Sequence, residues 1–235
     1  MHAAIVAGGR GTRATTMTGD SIPKALLPVG GVPIIIRQLR VLAREGVKRV
    51  SVLAGFLGDQ LRPALAAEAV ALGLTLDIMI EAAPRGTAGF LVDLSPATED
   101  IFVIYGDMLF DVALKPLYDF HRGQRALLTI VAHPNDHPRT SDLIVEENGF
   151  VKAFLPVGQR PEDDYRNLVP AGLYLASPNF FRSLTPGVKA DLSHEVIPTL
   201  LAAGTPIAPC PGGGGSRRRL AGSAQQCPSA TRYFL

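Results

Sequence analysis

The 235-residue sequence has no tryptophan, and its only two cysteines, Cys210 and Cys227, fall near the C-terminus. A main body without a thiol argues against a disulfide framework or a cysteine metal cluster. Long apolar runs are absent too, with no stretch approaching the ~18 continuous apolar residues of a membrane span. The first seven residues lack the basic start and longer apolar run of a signal peptide, so a buried first strand and a cytoplasmic location are expected. Charge of one sign is also missing. With 23 Lys and Arg against 21 Asp and Glu, the net charge of +2 supplies no basic stripe for nucleic acid.

What remains is a chain 47% apolar and 19% charged, enough to bury a sizeable core and unlike a disordered one. Its length suits one large α/β domain. In the first half, short apolar runs alternate with helix-period segments, the pattern of βα units and a mostly parallel sheet. Residues 3–7 form an apolar run closed by Gly8-Gly9. Pro33 can start a helix in which Ile35, Leu39 and Leu42 share a face before Gly46 ends it. Residues 47–54 read as a strand, Leu57, Leu61, Leu65 and Leu72 mark a helical stripe, and residues 74–80 and 101–105 read as further strands. From about residue 126 the runs shorten, and Glu147-Asn148-Gly149 is a hairpin-type turn, which predicts antiparallel additions to the sheet. A last helix is expected over residues 191–203, with Pro198 ending or kinking it. From residue 205 to 235 no periodicity survives among the glycines, prolines and the Arg217-Arg218-Arg219 triplet. That segment is expected to be an irregular tail to a domain spanning residues 1–204.

The strongest chemical signal is the loop after the first strand, Gly8-Gly9-Arg10-Gly11-Thr12-Arg13. Glycines let backbone amides approach phosphate oxygens, and Arg13 adds a planar cationic fork suited to them. A Walker loop is excluded, since no Gly-Lys-Ser/Thr closes it. A dinucleotide fingerprint fits poorly, because Pro23 and Pro28 interrupt the helix that should follow. Instead comes Pro23-Lys24-Ala25-Leu26-Leu27-Pro28-Val29-Gly30-Gly31-Val32-Pro33, with Lys24 on a proline-stiffened segment that lowers the entropy cost of placing its ammonium. His133-Pro134-Asn135-Asp136-His137-Pro138 offers two imidazoles and a carboxylate, but its prolines favour a turn over a metal site.

Across residues 8–33 the chain resembles the sugar-1-phosphate nucleotidylyltransferases, which carry G-G-x-G-T-R followed by P-K-x-L-x-P-V-x-G-x-P. Three further segments match in order: Glu81-Ala82-Ala83-Pro84-Arg85-Gly86-Thr87-Ala88-Gly89, Tyr105-Gly106-Asp107, and Asn167-Leu168-Val169-Pro170-Ala171-Gly172. The resemblance covers roughly residues 1–204 and looks closest to mannose-1-phosphate and D-glycero-D-manno-heptose-1-phosphate guanylyltransferases. It implies an α/β, Rossmann-like, glycosyltransferase-A-like three-layer fold with a mixed, mostly parallel central sheet.

The site residues it implies are as follows. Gly8, Gly9, Gly11, Thr12 and Arg13 would wrap the triphosphate. Lys24 would steady the reacting phosphates, with Arg13 on those that leave. Glu81, Gly86, Thr87 and Ala88 would hold the base and ribose, Asn167 and Gly172 would face the sugar, and Asp107 would bind Mg²⁺, a hard ion that prefers oxygen ligands. The implied partners are a nucleoside triphosphate, GTP first, and a sugar 1-phosphate; a homo-oligomer is allowed, and neither nucleic acid nor membrane is required. Two departures stand out. Many relatives place Glu-Lys after the hairpin strand at Gly149–Phe154, where this chain has Leu155-Pro156-Val157-Gly158, leaving Lys152 or Arg160 as substitutes. Relatives also carry a late aspartate that completes the metal site, whereas no Asp or Glu follows Gly204 here. The alternative is therefore a catalytically impaired nucleotide-binding homologue, a sensor or partner subunit, with a dinucleotide-dependent oxidoreductase a distant third.

Overall fold

A computed structural model describes residues 1–9, 21–134, 141–159, 168–211 and 232–234. The chain opens with β1 (His2–Ala7), a small hairpin of β2 (Pro28–Val29) and β3 (Val32–Pro33), and helix α1 (Ile34–Arg44). Then follow β4 (Arg49–Ala54), α2 (Leu61–Ala71), β5 (Thr75–Ile80), the short α3 (Gly86–Gly89), β6 (Ile101–Tyr105), β7 (Leu109–Asp111) and α4 (Leu114–Gln124). The second half comprises β8 (Leu128–Pro134), β9 (Leu143–Glu147), β10 (Phe150–Leu155), β11 (Leu168–Ala176), α5 (Pro178–Ser183), α6 (Ile197–Ala202), β12 (Ile207–Pro211) and β13 (Arg232–Phe234).

The central sheet is mixed, as the sequence pattern requires. Strands β5, β4, β1 and β6 run parallel, and β11 lies antiparallel to β6. Beyond it β11 pairs with β8 and, through Leu168, with β9, while β10 closes the hairpin on β9. Asn148 and Gly149 both have positive φ, 53° and 83°, the two left-handed residues that a tight two-residue hairpin demands.

Alternation along the strands splits the core into two layers. On one face Ala3, Ile5, Phe102, Ile104, Leu173 and Leu175 pack with Ile35, Leu39 and Leu42 of α1, Leu61 and Leu65 of α2, and Leu114 and Leu117 of α4. On the other, Ile101, Val103, Tyr174 and Ala176 pack with Phe90, Leu91, Phe180, Phe181, Leu192 and Ile197. Helices on both faces of one sheet give the three layers. Among the described residues, no helix is long and apolar enough to cross a membrane.

The final helical segment runs from residue 192 to 202 and changes winding at Pro198 as the sequence suggests: residues 192–196 form a π-helical turn, and α6 follows with Pro198 in its first turn. One expectation needs correction. The tail does not begin at residue 205. β12 pairs in parallel with β8, from Ile207 on Leu128 to Pro211 on Ala132, and buries Ile207, Ala208 and Cys210. Pro209 and Pro211 stand two residues apart, which puts both missing donors on one side. An edge strand such as β12 has a side that needs none.

Candidate active site

Four parallel strands deliver their carboxyl ends to one edge of the sheet, where open α/β sheets bind ligands. β1 runs into Gly8-Gly9, β4 into Gly55, β5 into Glu81, and β6 into Gly106-Asp107. The backbones meet closely there. A Cβ on Gly55 would sit 2.4 Å from the Gly8 carbonyl oxygen, and one on Gly8 would sit 2.9 Å from Glu81 Oε1. The Gly106 amide donates to Val6 O at 2.9 Å, which registers the Asp107 turn against β1. Gly9, by contrast, is exposed, and a Cβ there would meet nothing within 4 Å, leaving its backbone open to a ligand.

Lys24 and Asp107 form an ion pair although 83 residues separate them. Lys24 stands on a single 3₁₀ turn, Lys24–Leu26, closed by Leu26 N donating to Pro23 O at 2.8 Å and anchored by buried Ala25. The turn is tied to α1 through Ile34 N, which donates to Leu27 O at 3.1 Å. With side chains 36% and 41% exposed, the pair adds little stability, so a phosphate or cation can exchange with either partner cheaply.

The segment after Glu81 is built as a clasp. Gly86 has φ +79°, and a Cβ there would lie 2.3 Å from Ala190 O. Ala88 N and Gly89 N both donate to that same carbonyl, and Ala190 N returns a bond to Arg85 O. Thr87 Oγ1 donates to Asp191 Oδ2 at 3.1 Å and accepts from Leu192 N at 2.8 Å. Asp191 Oδ1 accepts from the amides of Ser193 and His194, capping the π-helical turn. Glu81, its side chain 5% exposed, accepts from Arg85 N at 3.0 Å. Arg85 itself is turned onto Asp93 by two bonds of 3.0 and 2.6 Å and stacks 4.6 Å over Phe90. Within the protein, then, Glu81, Thr87 and Ala88 act first as struts that shape the segment.

Gly172 lies in β11, at a break in the register with β8 and with φ +73°. It is buried, and a Cβ would press on Met108 Sδ at 3.1 Å and Tyr105 Cδ2 at 3.2 Å. Beneath it the rings of Tyr105 and Tyr174 approach to 5.6 Å. Burial pushes the phenol of Tyr174 well above its ordinary value, with Tyr105 adding to the effect, and burial raises Tyr105 as well. Both phenols are therefore neutral hydrogen-bonding groups rather than acids. Lys152 pairs with Glu147 at 2.8 Å across the β9–β10 hairpin.

The structure thus brings Gly8, Gly9, Lys24, Glu81 and Asp107 to one sheet edge, with Gly172 packed on the Asp107 turn and the Gly86-Thr87-Ala88 clasp following Glu81. Gly11, Thr12, Arg13, Arg160 and Asn167 lie outside the described residues, as does most of the His133–Pro138 string. Among the described residues no three His, Cys, Asp or Glu side chains form a metal cluster. Two supports escaped sequence reading, Asp191 and Gln38. Asp191 precedes a helical turn, where an N-cap is the ordinary reading. Gln38 interrupts the apolar face of Ile35, Leu39 and Leu42, a signal that was there to find.

Known proteins share both the sequence pattern and this architecture. The nucleotidyl transferase family profile matches residues 2–211. The mannose-1-phosphate guanylyltransferase of Mycobacterium tuberculosis is 31% identical over 211 residues, covering 87% of this chain and 56% of that protein. The mannose-1-phosphate guanylyltransferase catalytic subunit beta of Drosophila pseudoobscura pseudoobscura is 31% identical over 205 residues, covering 85% of this chain and 54% of its own. The chain thus spans about half the length of these curated relatives. Two crystal structures of HddC from Yersinia pseudotuberculosis, one complexed with GMP-PN, superpose with TM-scores of 0.76 and 0.75. Their identities are 21% and 20%, and each covers 89% of both chains, a likeness of fold. With a family match over residues 2–211 and the family's sheet-edge glycines, lysine and aspartate gathered in one place, the chain belongs to the nucleotidyl transferase family.

Proposed function

We propose that this chain joins a nucleoside triphosphate, GTP first, to mannose 1-phosphate or a manno-heptose 1-phosphate, giving the NDP-sugar and pyrophosphate. The observation that carries this reading is the Lys24–Asp107 pair at the mouth of the glycine-lined sheet edge in a nucleotidyl transferase family member. The preference for GTP and mannose follows the relatives at 31% identity, which are mannose-1-phosphate guanylyltransferases.

In the proposed reaction an oxygen of the sugar phosphate attacks the α-phosphorus, and pyrophosphate leaves with the electron pair of the broken P–O bond. A phosphate monoester has a second pKa of about 6, so the nucleophile is ionised near neutral pH and no general base is required. The protein's work is positioning and charge compensation. Gly8 and Gly9 bring backbone close to the phosphates, Lys24 leaves Asp107 for a phosphoryl oxygen, and Arg13 takes the departing phosphates. Asp107, a half-exposed hard carboxylate, fits Mg²⁺ held mainly by phosphates and water, since Mg²⁺ commonly binds through one or two carboxylates plus substrate. Bound there, the ion would neutralise charge on the reacting phosphates.

The lack of any Asp or Glu after Gly204 also supports a second reading, a nucleotide-binding homologue without turnover, and among the described residues no three His, Cys, Asp or Glu side chains form a metal cluster. Pyrophosphate release with Mg²⁺, measured across four NTPs and a panel of sugar 1-phosphates, separates the two. The strongest signal is expected with GTP and a manno-configured sugar phosphate. Nucleotide binding without release from any pair sinks the catalytic reading in favour of the second.

A further inference from the structure

Gln38 is an expensive residue to keep where it is. It sits on the inward face of α1, 1% exposed, beside Leu39 and Leu42. Its amide Nε2 donates to two carbonyl oxygens, Tyr105 O at 2.8 Å and Met108 O at 2.7 Å. Its Oε1 is buried with no hydrogen-bond partner among the described residues. Flipping the amide would aim that oxygen at the same two carbonyls, so the partners themselves fix the orientation. A leucine or methionine would fill the same helix position without burying that acceptor, but would take from the Tyr105 and Met108 carbonyls the amide that donates to both. Packing of the helix face does not account for the glutamine.

Its two partners do. Tyr105 and Met108 are the residues on either side of Gly106-Asp107, so the single amide group grips both ends of the turn that presents the carboxylate. The same helix is joined at its first residue, Ile34, to the segment that carries Lys24. Helix α1 therefore holds both members of the Lys24–Asp107 pair, one through backbone and one through Gln38. From the opposite side Gly172 closes on the same turn against Tyr105 and Met108.

We propose that Gln38 is a positioning residue that fixes the Asp107 carboxylate for the metal-bound triphosphate, the inference resting on the functional reading above. It touches neither substrate nor metal and acts through the turn. Gln38→Met keeps the volume and removes both bonds; Gln38→Glu keeps the shape but replaces the donor with an acceptor facing two carbonyls.

The test uses the full chain and three readouts: amide hydrogen exchange at Gly106 and Met108, Mn²⁺ binding in the presence of a non-hydrolysable GTP analogue, and pyrophosphate release. Losing two hydrogen bonds should speed exchange at those amides about tenfold or more while the β1 and β4 amides hold their protection. In Gln38→Met, Mn²⁺ affinity should fall by a similar factor and kcat with it, KM for the sugar phosphate should change little, and Tm should fall modestly as two carbonyls lose their donor. Gln38→Glu should be worse in every readout. Unchanged exchange and unchanged Mn²⁺ binding in Gln38→Met would overturn the proposal, and so would a global loss of fold in both variants, which would make the role merely structural. If the unaltered chain releases no pyrophosphate, the catalytic reading fails by itself, and the exchange and Mn²⁺ measurements still decide the role of Gln38.

Discussion

The two ends of the parallel strands use similar residues for opposite purposes. At the amino ends, His2, Ser51, Asp100, His121 and Thr129 are buried, and the exposed side chains of Arg49, Glu99 and Arg122 close over them. His2 meets Ser51 at 2.9 Å and Arg49 at 3.2 Å, Arg49 pairs with Glu99, and Asp100 accepts from Arg122 while His121 meets Thr129 at 2.7 Å. At the carboxyl ends Lys24 and Asp107 stand half exposed, and Gly9 has open space beside it. A charged group whose partners all lie within the protein belongs to the fold; one whose partner can be exchanged for a ligand is free to do chemistry.

Removing a carboxylate from each end should break the symmetry most sharply. Asp107→Ala is expected to lower turnover by about a hundredfold or more, since charge compensation at a transferring phosphate is worth several kcal/mol. Its Tm should barely move, because exposed ion pairs contribute little. Asp100→Ala, at a site 4% exposed, should do the reverse, costing about 1–3 kcal/mol of stability with turnover per folded molecule intact. Denaturant melts beside steady-state rates decide it, and a matched loss of both properties in both variants would erase the distinction.

Glycines sharpen the same contrast within the site. Gly86→Ala meets both a left-handed φ and a backbone oxygen 2.3 Å away, so a stability loss of about 3 kcal/mol or more is expected. Gly9→Ala meets nothing within 4 Å, so the fold should tolerate it while nucleotide affinity falls about tenfold as the backbone's approach to phosphate is obstructed. Calorimetry for Tm and for nucleotide binding separates the two. Equal effects of the two variants on both would argue that Gly9 is also a packing glycine.

Much of this arrangement was legible in the sequence, and what was not has physical reasons. Alternation gave the strands of the first half, and Asn148-Gly149 gave the hairpin, because both signals are local. The glycine and proline-lysine motifs named Gly8, Gly9 and Lys24 in advance, the family resemblance of Tyr105-Gly106-Asp107 named Asp107, and the structure brings them to one edge. β12 escaped because two prolines in five residues read as a breaker, and only its place at the sheet's edge makes them harmless. The Thr87–Asp191 clasp joins positions 104 residues apart, which no spacing within one sequence reveals. Ala88 was singled out for the ligand, yet its amide is bonded to Ala190 O, a partner fixed only by the tertiary fold.

The smallest effect concerns the amino end alone, and its sign follows from geometry. Arginine can only donate, so Arg49 makes His2 Nδ1 an acceptor, and the proton on Nε2 then faces Ser51 Oγ. That network requires a neutral imidazole, and burial, reinforced by the Arg49 charge, lowers the His2 pKa to about 4. The unfolded chain takes up its proton near 6.5, before the folded one does. His2 therefore contributes stability that is complete above about pH 6.5 and drains away as the pH falls toward 4. His2→Gln removes the titration while keeping a side chain able to reach Ser51. The stability gap between the native chain and this variant should narrow by roughly 1 kcal/mol between pH 7 and 5.5 in urea melts. Parallel pH profiles would mean that His2 is already solvated in the folded state and that the amino end is less closed than its hydrogen bonds indicate.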